Sequence, residues 1–249
     1  LGIEPIFVQK KFIYADVVAD IVYTNKSTEK SKDELEALVR TTISNYSSTT
    51  LEDFNTKLRG SKLAAQIDSV DTAVLSTGLT VMPIIDWSPQ INIRETPIFR
   101  FETELVKPYP FREATGFKEY KPAVKSTPFD IDGTCVYLQD DGLGNLMFIV
   151  DDITNPSVYK PKVGTIDYKK GLITLNTVLV EAFDGSTIKI MVRPKESSIK
   201  AAQGRVFIIR DEDVQVNMIL DEKPTAGTTT SSSAIGTLSG SSSSTNSSY

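Results

Sequence analysis

Apolar and polar positions alternate along residues 14–24, which is the first regular pattern in the chain. Asp16 and Asp20 fall on one face of this stretch. The opposite face carries five apolar or aromatic residues: Ala15, Val17, Ala19, Ile21 and Tyr23. A period of two residues is typical of a strand with one buried face. We therefore predict a half-buried β-strand here.

Helical spacing follows this strand. Ser31 and Glu34 are placed as a capping box, in which each side chain binds the other residue's backbone amide. Apolar residues then recur at helical spacing up to Tyr46. A second helix is predicted from Thr50, a shorter one from Ser61, and a strand over residues 73–85. Helices between two strands can cover one face of a small sheet, so residues 1–89 are predicted to form a small two-layer α/β sandwich.

The second part of the chain lacks a convincing helical pattern and is rich in hairpin signals. Turn-forming residues separate short apolar runs at 141–145 and 169–171, and further strands are predicted at 187–193, 205–209 and 214–220. Residues 90–224 are thus predicted to be a β-rich domain of antiparallel hairpins. Residues 225–249 are almost entirely Ser, Thr and Gly, and are predicted to be a disordered tail. The expected fold class is α+β.

Composition narrows the possible functions. The net charge is -5, which does not favour nucleic-acid binding or attraction to an anionic membrane surface. The chain contains no histidine and one cysteine, Cys135. This removes histidine-based catalytic triads, histidine-ligated zinc and multi-thiolate metal sites. We expect a protein that is not an enzyme and that binds no cofactor, metal, nucleic acid or membrane.

Acidic loops are the strongest candidates for metal binding. The candidates are six aspartates: Asp130, Asp132, Asp140, Asp141, Asp151 and Asp152. Calcium prefers several loop oxygens, but the ligand spacing of a calcium-binding loop is not met here. Turn-stabilising carboxylates are the favoured interpretation. Paired carboxylates could also serve a glycoside hydrolase, although the sequence places no pair in a cleft.

Four aromatic residues stand in the proline-rich stretch of residues 106–128 and are the candidate interface residues: Tyr109, Phe111, Phe117 and Tyr120. Aromatic side chains dominate the binding energy of many interfaces, so these residues could anchor a partner protein. They could equally fix an irregular segment onto their own domain. Both interpretations remain open from the sequence.

Several runs of core and turn residues form one ordered pattern along the chain: Glu4–Val8, Phe12–Tyr14, Val17–Tyr23, Ser31–Glu34, Leu51–Asp71, Val206–Ile209 and Asp213–Val216. Together they resemble the C-terminal half of the baseplate wedge proteins of contractile-tailed bacteriophages. The resemblance covers most of residues 3–222 in order and spacing, and the early strand–helix–helix–strand part also looks like the baseplate J-like family. The serine-rich tail departs from the family pattern.

The resemblance implies a scaffolding role. Such a subunit would form a homodimer, bind other wedge proteins and join wedges into a ring around the tail hub. It would be assembled in the host cytoplasm and reside in the tail baseplate of the virion. Two other hypotheses remain: a carbohydrate-binding adhesin module, favoured by aromatics in the irregular segment, and a histidine-free hydrolase with two carboxylates.

Overall fold

The structure is a computed structural model, and it describes residues 11–51, 56–112, 120–152, 154–200 and 205–221. The predicted tail, residues 225–249, lies outside these ranges. The first part contains three strands, two α-helices and a π-helical turn: β1 (Lys11–Tyr23), α1 (Lys32–Tyr46), the π-helical turn (Ser47–Leu51), β2 (Lys57–Arg59), α2 (Gly60–Asp68) and β3 (Val74–Trp87).

The rest of the described chain is built from short strands and one 3-10 helix. Its strands are β4 (Arg94–Glu95), β5 (Ile98–Arg100), β6 (Val124–Ser126), β7 (Phe129–Ile131), β8 (Thr134–Asp140), β9 (Asn145–Val150), β10 (Val158–Asp167), β11 (Leu172–Leu175), β12 (Val178–Leu179), β13 (Ala182–Phe183), β14 (Ile188–Val192), β15 (Ser198–Lys200), β16 (Arg205–Ile208) and β17 (Val214–Leu220). The 3-10 helix, Asp211–Asp213, separates β16 from β17.

The predicted first strand and first helix are confirmed. The five residues assigned to one face of β1 are all buried. Ser31 caps α1: the Glu34 amide donates to the Ser31 hydroxyl at 3.3 Å, and the Ser31 amide donates to the Glu34 carboxylate at 2.7 Å. Leu35, Val39 and Ile43 bury one face of α1 completely. Local periodicity and a local capping pattern were therefore sufficient to place these elements.

The helix predicted from Thr50 is wrong where the structure describes it. A π-helical turn ends at Leu51, residues 52–55 lie outside the described ranges, and Leu58 is in β2. Gly60, expected to end a helix, instead begins α2. A Cβ at Gly60 would lie 3.3 Å from the Ser197 carbonyl oxygen, so β2 and the loop before β15 approach closely here.

One mixed sheet of 13 strands dominates the molecule. Its main order is β16-β1-β3-β14-β6-β8-β9-β10-β11-β5, with β17 also beside β1, and β7 and β13 attached at β8. β1 pairs antiparallel with β3 and parallel with both β16 and β17. β14 pairs with the last four residues of β3, from Ile84 to Trp87. The sheet is thereby continuous from the helix-covered strands into the hairpins.

The predicted fold class, α+β with a small two-layer α/β sandwich followed by a β-rich domain, is wrong. The described part of the chain is mostly β: 47% of its residues are in strands, and it contains only two α-helices. The helices do cover one face of β1 and β3, but this sheet does not end there. It gains β14 beside β3, and it gains β16 and β17 from the far end of the sequence beside β1.

Two large hydrophobic clusters and a small third one, made of Tyr23, Leu35 and Ala73, fill the interior of the described residues. The first lies between the helices and β1, β3 and β17, and includes Val17, Ile43 and Ile67. The second lies among the hairpins, where Phe129 packs edge-on against Trp87 and Phe148 with ring centroids 6.0 and 5.6 Å apart. Burying each such side chain stabilises the fold by about 1.5–3 kcal/mol relative to exposure. The second cluster includes Leu105, where the irregular segment Leu105–Arg112 begins.

Candidate partner-binding site

The irregular segment Leu105–Arg112 is fixed to the sheet near both of its ends. The Leu105 amide donates to the Tyr168 carbonyl at 2.7 Å, and the Val106 amide donates to the Arg193 carbonyl at 3.0 Å. Further along, the Phe111 amide donates to the Asp141 carbonyl at 2.9 Å. The residues between these points are held in place without belonging to a strand. The segment is therefore ordered while its outer side stays exposed.

The turn between β8 and β9 forms the base of this segment. Gly142 has φ +75°, a conformation that side chains with a Cβ rarely adopt. A Cβ at this position would lie 2.5 Å from the Tyr109 carbonyl oxygen and 3.1 Å from that of Pro108. Asp141 closes the turn by accepting hydrogen bonds from the amides of Leu143 and Asn145 at 2.7 and 3.0 Å. Glycine is required here both by the turn and by the close approach.

Asp140, at the end of β8, is completely buried and its carboxylate accepts four hydrogen bonds. Oδ1 accepts from the amides of Ala123 and Val124 at 2.6 and 3.0 Å. Oδ2 accepts from the Tyr168 hydroxyl at 2.7 Å and from the Gly142 amide at 3.3 Å. Burial raises the pKa of Asp140, and these hydrogen bonds offset only part of that effect. The side chain ties the turn, the start of β6 and β10 together.

The structure separates the aromatic residues that the sequence grouped together. Tyr109 is 91% exposed, whereas Phe111 and Tyr120 pack edge-on with centroids 5.2 Å apart. The buried Tyr120 hydroxyl has no hydrogen-bond partner among the described residues. Burial raises the pKa of this hydroxyl, and the charge of Asp140 raises it further. Phe117 lies outside the described residues.

A groove of about 620 Å³ runs beside this segment. Proline and tyrosine side chains form part of its wall, and four cationic residues contribute to the lining: Lys107, Arg112, Lys121 and Arg193. Arg193 also donates to the Lys121 carbonyl at 3.1 Å, which joins residues 72 positions apart. Among the described residues, no carboxylate lines the groove. The groove is therefore a locally cationic surface on a chain whose net charge is -5.

Sequence reasoning found the aromatic residues of this site but missed its cations. The proline-rich stretch contains Lys107, yet nothing in the sequence brings Arg193 beside Lys121. That contact depends on β14 pairing with β6, which places Val192 opposite Val124. Only the sheet topology carries this information.

A second polar cluster, also missed from the sequence, lies where β1, β3 and β14 meet the 3-10 helix. The Arg210 guanidinium stacks 3.8 Å from the Tyr14 ring centroid and donates to Asp86 at 2.8 Å and Asp213 at 2.5 Å. The Lys189 ammonium also binds Asp213, at 2.6 Å. Asp213 is nearly buried, so these contacts compensate a charge removed from water. The cluster fastens four elements together.

The acidic loop residues are used in turns and ion pairs. Asp132 pairs with Lys160, and Asp152 accepts from the amides of Thr154 and Asn155. Among the residues that the structure describes, no three acidic, histidine or cysteine side chains are grouped so that they could hold a metal ion. The arrangement matches the favoured interpretation of these carboxylates as turn-stabilising groups.

Comparison with known proteins identifies one family. Residues 11–82, which run from β1 through most of β3, match the family described as "Baseplate structural protein gp6, C-terminal domain III". No curated protein sequence matches the chain. None of the helices in the described ranges is long and apolar enough to span a membrane. The match supports a structural role in a phage baseplate.

Proposed function

We propose that the chain is a wedge subunit of a contractile-tail baseplate. It pairs with a second copy and binds other wedge proteins, so that neighbouring wedges join into a ring around the tail hub. The family match over residues 11–82 carries this proposal. A ring closes when the same interfaces repeat with a fixed rotation, so the role requires persistent contact surfaces and no chemical step.

The candidate contact surface is the segment around Tyr109. Its backbone is already fixed by bonds to Tyr168, Arg193 and Asp141, so binding a partner would order few additional groups. The packed pair of Phe111 and Tyr120 supports the segment from within. An exposed tyrosine on a fixed backbone is the kind of residue that fills a partner's pocket and carries much of the binding energy.

The cations beside Tyr109 indicate that the groove meets an acidic surface. In a dimer, this surface is a part of the second copy other than the same groove, since two cationic grooves would repel each other. Lys107, Lys121 and Arg193 would steer such a surface towards the groove, and charges at an interface rim mainly change the association rate. Binding should therefore weaken as salt is raised, because surface charges are screened beyond about 8 Å at physiological ionic strength.

Light scattering of the full chain over a concentration series tests the pairing. We expect a dimer, and we expect Tyr109→Ala to weaken association by about tenfold or more, as for a hot-spot residue. Ile98→Ala is the matched control, since Ile98 is a large apolar residue, 51% exposed, at the far edge of the sheet. Equal losses of association in both variants would show that Tyr109 is not an interface residue.

Co-assembly tests the wider role. The full chain, mixed with the other proteins of the same baseplate, should enter a complex resolved by size-exclusion chromatography. A chain that stays monomeric and joins none of these proteins would contradict the proposal.

A second candidate function is carbohydrate binding at the same groove. The exposed ring of Tyr109 beside Tyr120 is the observation that favours it, since pockets lined by aromatics with a few polar groups are common ligand sites. A glycan array would decide: saturable binding lost in Tyr109→Ala would favour an adhesin, and no binding would count against one.

A further inference from the structure

β17 is a long strand with a neighbour on one side only. Among the described residues it pairs with β1 alone, from Val214 to Leu220. Backbone groups of successive residues in a strand point to opposite sides. The Asp221 amide donates to the Tyr23 carbonyl at 2.8 Å, so odd-numbered residues face β1. The backbone N–H and C=O groups of the even-numbered residues from Val214 to Leu220 consequently point away from β1, towards the open edge of the sheet.

A second contact confirms this direction. The outward carbonyl of Val214 accepts from the Arg40 guanidinium of α1 at 3.0 Å. No described residue accepts a hydrogen bond from the outward amides of Val216, Met218 or Leu220, and none donates to their outward carbonyls. The neighbouring strand β16 differs, because the Ile209 amide that follows it donates to the Ser47 hydroxyl at 3.0 Å. The π-helical turn thus covers that part of the edge and leaves β17 open.

β17 also lacks the features that usually prevent an open edge from pairing. Exposed edges are commonly protected by charges, proline, bulges or short length. β17 contains seven residues, none of them charged or proline, and its register with β1 is regular throughout. Two of its apolar residues are exposed, Ile219 by 47% and Leu220 by 39%. The strand therefore has the properties of a docking edge.

We propose that β17 accepts an extended segment of another protein as an additional strand, with Lys or Arg near both ends of that segment. Main-chain hydrogen bonds give such strand addition its affinity, and side-chain matching gives its specificity. The acidic residues at both ends of β17 specify the charge. Asp211 and Glu212 precede the strand and are exposed, with the Glu212 side chain 64% exposed, and Asp221 follows it. Asp213 is nearly buried and adds little to this exposed charge. Lys189 and Arg210 lie near Glu212, but they share their two charges among Asp86, Glu212 and Asp213.

The same charges disfavour a second copy of this chain as the occupant. A two-fold axis would pair β17 antiparallel with itself. Centred on Asn217, that pairing brings Asp221 of each copy beside Asp213 and close to the exposed Glu212 and Asp211 of the other, whose charges Lys189 and Arg210 do not fully offset. Like charges directly opposite each other destabilise a strand pair. A partner with basic ends replaces this repulsion with attraction.

Amide hydrogen exchange of the full chain tests the proposal with a defined probe, the synthetic peptide Lys-Thr-Val-Thr-Val-Thr-Lys. We expect saturable slowing of exchange at Val216, Met218 and Leu220, and weaker binding when glutamate replaces both lysines. Leu220→Pro removes an outward N–H that the β1 ladder does not use. It should reduce peptide affinity by about tenfold, the effect of losing one main-chain hydrogen bond of about 1.4 kcal/mol. Leu220→Ala, which keeps the N–H, is the matched control.

Three outcomes would overturn the proposal. Exchange could remain unchanged at millimolar peptide, or the outward amides could be slow in dilute chain alone, which would place another part of the chain on this edge. Protection that grows with chain concentration and without peptide would assign the edge to a second copy. The baseplate role is measured separately, through Tyr109 variants and co-assembly, so each proposal can fail while the other stands.

Discussion

Gly142 shows, at the scale of one residue, how closely the exposed segment is fitted to its base. We expect Gly142→Ala to lower the free energy of unfolding by about 3 kcal/mol, since it adds a backbone clash to the strain of a positive φ. Gly133→Ala is the control: its φ is +70°, but a Cβ there meets no atom within 4 Å. That variant should lose only about 1–2 kcal/mol. Urea denaturation measures both, and equal losses would show that the contact with Tyr109 is unimportant.

Asp140 predicts a defined dependence on pH. Its pKa is raised in the folded chain because burial disfavours the charged carboxylate. A raised pKa adds stability that is fully present below the unfolded-state value of about 3.9 and is lost as pH rises through the folded value. The free energy of unfolding of the native chain, minus that of Asp140→Asn, should therefore fall from pH 4 upwards.

Denaturation at a series of pH values measures this difference. Asp152→Asn serves as the control because the pKa of Asp152 is lowered, chiefly by hydrogen bonds from Thr154. Its difference should rise with pH up to about pH 4 and stay nearly constant above it, where that of Asp140 falls. A difference that rises with pH for Asp140 would mean that its hydrogen bonds outweigh its burial.

Residue identity alone revealed part of the candidate site. The aromatics of the proline-rich stretch were noticeable because such side chains need either burial or a partner. The structure packs Tyr120 against Phe111 and leaves Tyr109 exposed. Asp140 was grouped with loop carboxylates, since nothing local distinguishes it from Asp141. Its burial depends on Ala123 and Tyr168, whose positions are set by other strands.

At the scale of elements, local patterns predicted what local forces determine. The capping box of α1 and the alternation of β1 are complete within a few residues, and both were confirmed. The hairpins β8–β9 and β10–β11 were also confirmed, because turn residues fix their register. The wrong helix after Thr50 had suitable apolar spacing, but Leu58 is instead taken into a strand that pairs with β15.

Arg210 joins several elements, so its loss should be felt beyond one contact. We expect Arg210→Ala to lower the free energy of unfolding by about 2–3 kcal/mol, because it leaves the nearly buried Asp213 with a single cation. Arg210→Lys should recover only part of this loss, since lysine lacks the planar fork and stacks less well on Tyr14. Arg40→Lys, on the exposed face of α1, should change stability by about 0.5 kcal/mol or less. Identical stabilities for Arg210→Ala and the native chain would contradict this account.

At the scale of the whole molecule, the sequence could not show that β16 and β17 lie beside β1. β16 and β17 pair with β1 in parallel, and parallel partners need no turn between them that a sequence pattern could reveal. This pairing overturned the α+β prediction. The division into residues 1–89 and 90–224 stays a prediction, and calorimetry tests it: two separate transitions would support it, and one would contradict it.

The position of β1 predicts where the fold is most stable. β1 is paired on both sides, and Ala15, Val17, Ala19 and Ile21 are fully buried. We expect its amides to exchange hydrogen only through global unfolding, and therefore most slowly in the chain. Exchange followed by mass spectrometry checks this expectation. Slower exchange in the β8–β9 hairpin would place the most stable region in the second cluster instead.

The parallel pairing of β1 and β17 also determines how the molecule bears load. A pull applied before Lys11 and after Leu220 acts at opposite ends of two strands that run in the same direction. Such a pull shears the pair, so the hydrogen bonds between the strands resist together and do not open one at a time. Tension that enters and leaves along this route meets the β1–β17 ladder before it can extend any hairpin, so this ladder sets the force that the fold withstands.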